Sequence, residues 1–185
     1  MSNTHINDFS LLCRLFGNLF YRQPNDPILA STFAWLAQGG LRQQWALDTD
    51  IQSELSLTLL EKQANPTELA PSYQALFAEN GAIPTAISAY KVSVEDFIVF
   101  RNERGMPTLE QADHVALLLL TASWIEDNLD STQAQQMLFE KYLLPCMNKF
   151  LGLVETKDNG FYKALAQLTR YALSAMADEL DDEDI

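Results

Sequence analysis

Apolar positions recur at helical spacing along almost the whole chain. In FSLLCRLFGNLFY, Phe9, Leu12, Phe16, Leu19 and Phe20 share one face, Leu15 widens it, and Pro24 forbids continuation. The next helix opens with the capping types Asn25 and Asp26 and with Pro27 at its first position, and Gly39-Gly40 closes it. Its expected buried stripe is Ile28, Leu29, Phe33 and Leu36. A third helix over about 49–63 carries Ile51, Leu55 and Leu59. NPTELAPS interrupts the pattern twice, and a short helix, SYQALFAEN, starts at Ser72.

The character then changes. NGAIPTAISAYK (80–91) has Asn-Gly, a proline and small residues but no stripe, which predicts an irregular connection or hinge. Ser93 restarts a helix with Asp96 at capping-box spacing; it carries Phe97, Ile98 and Phe100 and ends at Gly105 and Pro107. From 113 to 128, Val115, Leu117, Leu118, Leu119, Leu120, Trp124 and Ile125 cover so much circumference that this helix is expected at the centre. Three more follow: STQAQQMLFEKYLL, PCMNKFLGLVE opened by Pro145, and GFYKALAQLTRYALSAMA. No strand pattern occurs. The fold class expected is all-α, a single bundle of about eight to ten helices with a central hinge loop. One domain would fill 1–185, with helical parts at 1–79 and 93–177, the hinge at 80–92 and an acidic tail at 178–185.

Composition narrows the function. With 48% apolar residues the chain has the material for a core, yet no apolar run approaches the ~20 residues that span a bilayer, so no membrane insertion is expected. MSNTHINDFS lacks the marks of a secretory signal, and Cys13 and Cys146 form neither a metal spacing nor a disulfide framework. Reduced, buried thiols in a cytoplasmic protein are the expectation. The net charge is −13, and DELDDEDI (178–185), read as a solubilising disordered end, leaves −7 on the rest. Such a surface repels phosphate backbones and argues against nucleic acid as a partner. A basic ligand or peptide suits it.

Asp113 and His114 stand at the mouth of the most apolar stretch, LEQADHVALLLLTASW. A metal site is not expected, because the chain has only one other histidine, His5, near the terminus. No nucleophile can be nominated for a triad, so no catalytic residue is expected, and no glycine-rich phosphate loop implies a cofactor. Local reasoning makes Asp113 an N-cap, with dipole and hydrogen bonds together contributing about 1 kcal/mol, and places His114 in the first turn.

The wider pattern resembles a family. EQADHVALLLLTASWIEDN, then LLPCMNKFL and FYKALAQLTRYAL, with LCRLFGNLFYRQP, LASTFAWL and YQALFAENGAIP upstream, is similar in order and content to the TorD/DmsD family of twin-arginine redox enzyme maturation chaperones. The family's motif is an acid, proline, any residue, Asp and His. Glu110, Asp113 and His114 keep it, while Gln111 stands where proline is expected. TAISAYK also lacks the tryptophans of the DmsD-branch loop. The resemblance implies an all-helical cytoplasmic chaperone. Its partner would be the twin-arginine signal peptide and precursor of a molybdopterin oxidoreductase of the dimethyl sulfoxide or trimethylamine N-oxide reductase type, held back until its cofactor is inserted. It also implies client contact at Tyr73, Leu76 and Phe77 and at Glu110, Asp113 and His114.

Physical chemistry agrees with that partner: paired guanidinium groups suit carboxylates, and an apolar segment suits a groove. The hinge composition would also permit a domain-swapped homodimer. Two other readings stand beside this one. One is a chaperone that recognises only the mature fold of a different redox enzyme; the other is a small helical hydrolase using Asp113 and His114 as an acid–base pair.

Overall fold

A computed structural model describes the backbone of residues 3–47 and 49–183, and the side chains of 8–47 and 49–182. The His5 side chain and the last two residues of the acidic tail lie outside the described residues. No strand occurs among the described residues, and the helices form one all-α bundle.

The amphipathic helix α1 (Asn3–Tyr21) lies against α7 (Ala116–Asn128), and these two form the centre. Gly17 permits the approach: a Cβ there would sit 2.8 Å from the Leu120 side chain and 3.3 Å from the Ala116 carbonyl. Val115 and Ala116 to Leu119 are all buried, as the apolar density of that stretch predicts. Around this pair pack α8 (Thr132–Leu138), α9 (Leu144–Lys157) and α10 (Phe161–Glu183), and α10 also holds α4 (Ile51–Lys62). The short α2 (Ala30–Ala37) and α3 (Gly40–Gln44), α5 (Pro66–Phe77) and α6 (Val94–Glu103) complete the bundle.

Several expected elements take a different form. Asp26 accepts from the Ile28 N–H as foreseen, but it opens a 3-10 turn (Pro27–Leu29) ahead of α2, and Ile28 is 62% exposed. On α4 the buried residues are Ser53, Ser56, Leu57 and Leu60, while Ile51 is 82% and Leu55 59% exposed. The small serines bring that face close to α10, where Ser56 Oγ meets Gln167 Oε1 at 2.8 Å. Ile98 on α6 is likewise exposed. α5 starts at Pro66, capped by Asn65, and runs through Pro71 rather than beginning at Ser72. An interior proline costs about 3 kcal/mol, and burying Leu69, Tyr73, Leu76 and Phe77 at about 1.5–3 kcal/mol each outweighs it.

The two helices expected on either side of Pro145 are one continuous rod from Thr132 to Lys157. A π turn (Phe139–Leu143) joins α8 to α9, and in it the Leu144 N–H reaches back to the Phe139 carbonyl. At the far end, α10 continues through Asp178–Glu183, so the described part of the acidic tail is helical rather than disordered. The Leu180 carbonyl accepts from Gln136 Nε2 at 3.0 Å, which fastens it to α8.

Candidate functional site

The connection between α5 and α6 is tied down at every step. After α5, Ala82 and Ile83 donate to the Ala75 and Leu76 carbonyls, both at 2.9 Å. Gly81 is required there, because a Cβ would lie 2.6 Å from the Leu76 oxygen. A 3-10 turn (Ile87–Tyr90) follows, with Ile87, Tyr90 and Val92 buried, and Lys91 closes it in the left-handed conformation at φ 62°. Tyr90 OH donates to the Pro84 carbonyl at 2.6 Å. The segment of missing helical pattern is thus an ordered strap across the entrance of α7.

Asp113 fastens that strap. Its carboxylate accepts from the Ser88 N–H at 3.1 Å and from Ser88 Oγ at 2.7 Å, and Val115 donates to the Thr85 carbonyl at 2.8 Å. The expected N-cap role does not hold, because α7 begins only at Ala116 and Asp113 is too far upstream to reach its free N–H groups. His114 takes that place: its Nδ1 accepts from the Ala116 N–H at 3.1 Å. An accepting Nδ1 leaves the proton on Nε2, and the ring is neutral. Burial pushes the imidazole down to about 4, although the Asp113 charge works the other way. The Tyr21 ring stands edge-on to it, centroids 5.0 Å apart.

Tyr73, Leu76 and Phe77 lie in the interior. Tyr73 OH donates to the Phe20 and Tyr21 carbonyls at 2.9 and 3.1 Å, closing the C-terminus of α1. Burial pushes its phenol up to about 12. The Phe77 ring touches Phe20, Tyr73, Phe150 and Tyr162, with centroids 5.2–5.9 Å apart, so it joins α1, α5, α9 and α10. Tyr73 and Phe77 are thus committed to the core and Leu76 holds Ile83 only through its carbonyl, while Asp113 and the Val115 N–H hold the strap from the α7 side, His114 caps α7 and Glu110 is exposed.

Sequence reasoning overlooked three supports. Ser88 and Thr85 carry no signal by themselves. Arg101, buried on α6, donates to Thr121 Oγ1 at 2.6 Å and to the Pro107 carbonyl at 3.0 Å, pinning the loop that leads to Glu110. An arginine beside Gly105 and Pro107 was the available hint. No group of histidine, cysteine, aspartate and glutamate capable of holding a metal ion occurs among the described residues. Cys13 and Cys146 are both free and buried. The site as built offers an acid and a neutral imidazole at a strap junction, which suits recognition by hydrogen bonds.

Comparison with known proteins gives the family. A scan against protein-family models finds no match. The chain is 58% identical over 184 residues to an uncharacterized protein of Haemophilus influenzae, covering 99% of this chain and 100% of the other. It is 43% identical over 185 residues to the chaperone protein YcdY of Escherichia coli, covering 96% and 98%. It is also 27% identical over 183 residues to the Tat proofreading chaperone DmsD of Salmonella typhimurium, covering 91% and 88%. With the helical bundle and the Glu110–His114 motif in place, the chain belongs to the TorD/DmsD family of redox enzyme maturation chaperones.

Proposed function

We propose that this protein is a cytoplasmic, system-specific chaperone of a molybdopterin oxidoreductase. It binds the enzyme's twin-arginine signal peptide, its apo form, or both, and delays export until the cofactor is inserted. No bond of the client is made or broken; the work is recognition, shielding and timed release. The observation that carries this reading is the similarity to Tat proofreading chaperones over 91% of the chain. A charge of −13 supports it, since it draws in a peptide headed by two guanidinium groups. In this reading the strap at 80–92 is the part that yields to the peptide, with Asp113 exchanging Ser88 for a client donor and Tyr73, Leu76 and Phe77 meeting the apolar segment. If the strap can also be exchanged between protomers, light scattering at high concentration will detect a dimer; monomer alone removes that corollary.

Calorimetric titration with a twin-arginine signal peptide, beside one carrying two alanines, tests the proposal. Micromolar binding that weakens in the control supports it, and absence of binding to peptides from several molybdoenzymes overturns signal-peptide recognition and leaves the folded body of the client as the target.

A second reading has its own support. Identity to the chaperone YcdY is higher than to DmsD, and Tyr73, Leu76 and Phe77 are buried. On that reading the client is a different redox enzyme, met through its folded body. Complex formation with an apoenzyme that lacks its signal peptide separates the two.

A further inference from the structure

α6 leads from the strap to the loop that carries Glu110, and its inner face is well secured. Phe97, Phe100 and Arg101 are buried. Both rings meet Tyr142 of the π turn, with centroids 5.7 and 5.4 Å apart, and Tyr142 OH donates to the Asp96 carbonyl at 3.4 Å. Arg104 also turns inward, its guanidinium 4.0 Å from the Phe100 ring centroid. The outer face is a different surface. Ile98 is 38% and Val99 52% exposed, and the exposed Glu95 and Glu103 stand one turn before and one turn after Val99. At 1.5 Å per residue, each of these carboxylate-bearing positions lies about 6 Å along the axis from Val99.

Two features of this face point outward. β-Branched side chains form helix poorly, and at this exposure burial within the fold returns little for Ile98 and Val99. The charges beside them are loosely held: Glu95 is met by Ser93 Oγ at 3.4 Å and Glu103 by Arg104 at 3.7 Å, both long for contacts to a carboxylate. Asp96, exposed in the same first turn, adds a third negative charge. Lys91, in the strap, and Lys141, in the π turn, are the exposed cations of the segments that hold α6. An apolar pair bracketed by carboxylates complements a segment in which guanidinium groups adjoin apolar residues.

We infer that the outer face of α6 is the docking surface for the arginine-bearing apolar segment of the client's signal peptide. Apolar side chains of that segment cover Ile98 and Val99, and its guanidinium groups donate to Glu95 and Glu103. The strap need not open for this contact, because the face is exposed while Asp113 holds Ser88, and the buried Tyr73, Leu76 and Phe77 take no part in it. The inference rests on the peptide-binding reading above and deepens it, by giving the peptide a contact between the strap and Glu110.

The full chain is titrated with the same twin-arginine and twin-alanine peptides. Ile98→Gln with Val99→Gln makes the face polar with a good helix former, and Ile51→Gln with Leu55→Gln does the same to an exposed apolar pair on α4. Glu95→Gln with Glu103→Gln removes the bracketing charges, while Asp178→Asn with Asp182→Asn removes two exposed charges of α10. Expected are at least tenfold weaker binding of the twin-arginine peptide in both α6 variants and less than threefold in both controls. The Ile98 and Val99 methyl resonances of the wild type should also shift when that peptide is added. Equal weakening in the α6 and control variants overturns the inference in favour of general adhesion and bulk charge. Wild-type affinity in either α6 variant overturns it and leaves the peptide reading intact. A wild-type dimer that Ile98→Gln with Val99→Gln dissociates gives the face to a second copy and overturns it as well. Absence of twin-arginine binding to the wild type removes the peptide reading and the inference together, and is seen before any variant is made.

Discussion

Ser88 and Asp113, 25 residues apart, are joined twice, through the Ser88 N–H at 3.1 Å and its hydroxyl at 2.7 Å. One carboxylate thus spans from the strap between α5 and α6 to the start of α7. The pair is solvent-accessible, so each partner contributes about 1 kcal/mol rather than the larger value of a buried charge. Asp113→Asn and Ser88→Ala should each lower urea stability by ~1 kcal/mol, and a double-mutant cycle should return most of it as coupling. Additive losses would show that the two act separately.

His114 makes stability depend on pH. Its folded value, about 4, lies below the ordinary 6.5, so the unfolded chain binds the proton first. Its contribution is fully present above pH 6.5 and is lost as pH falls towards 4. Between pH 7.5 and pH 5 the loss amounts to about 2 kcal/mol. His114→Asn keeps an acceptor for the Ala116 N–H and removes the titration. The acid limb of its stability profile should flatten by that amount relative to wild type, and an unchanged limb would show that carboxylates alone account for it.

Both thiols should be silent in the native protein. Burial, then the Glu126 charge, pushes Cys13 up to about 12, and burial, then the Asp113 charge, pushes Cys146 up to about 12. A disulfide reagent at pH 8 should label neither until denaturant is added, then both. Fast native labelling of Cys146 would reveal opening of the strap, since its Sγ faces the Ile87 carbonyl.

Tyr73→Phe removes the donor to two carbonyls at the end of α1 and should cost ~1–2 kcal/mol. If Tyr73 also meets the client, peptide affinity falls further than the stability loss explains. Unchanged affinity at a temperature where the variant is folded leaves it a core residue.

Gln111 is exposed in irregular backbone, where the family motif has proline. Gln111→Pro should raise stability by ~0.4–1 kcal/mol through the unfolded chain and tighten peptide binding. A destabilised variant would mean that the local backbone rejects the ring.

The helical pattern made most of the bundle legible before any coordinates, above all α1, α7 and the capped start of α6, where Ser93 accepts from the Asp96 N–H. The errors have local causes. On α4 two stripes compete, and the one with larger side chains, Ile51 and Leu55, lost because serines permit closer contact with α10. Pro71 looked like a boundary because the burial that overrides it comes from distant helices. Asp113 read as a cap because its partner, Ser88, is remote in sequence and lies in a segment with no pattern.

The π turn at Phe139–Leu143 also fixes how this protein tolerates changes of length. Such a turn holds one residue more than an α turn, and one residue turns a helix by about 100°. Because the extra residue is taken up inside the turn, the helix on either side keeps the phase it would have without it, with Gln135 and Leu138 before the turn and Cys146 and Phe150 after it all buried. Deleting one residue within 139–143 would restore ordinary helical hydrogen bonding and leave Phe150 in its aromatic cluster, whereas a deletion in α8 or α9 would turn everything beyond it by about 100°. The less regular backbone is thus the place where this rod can shed a residue, so a single deletion there should be far better tolerated than one in α9.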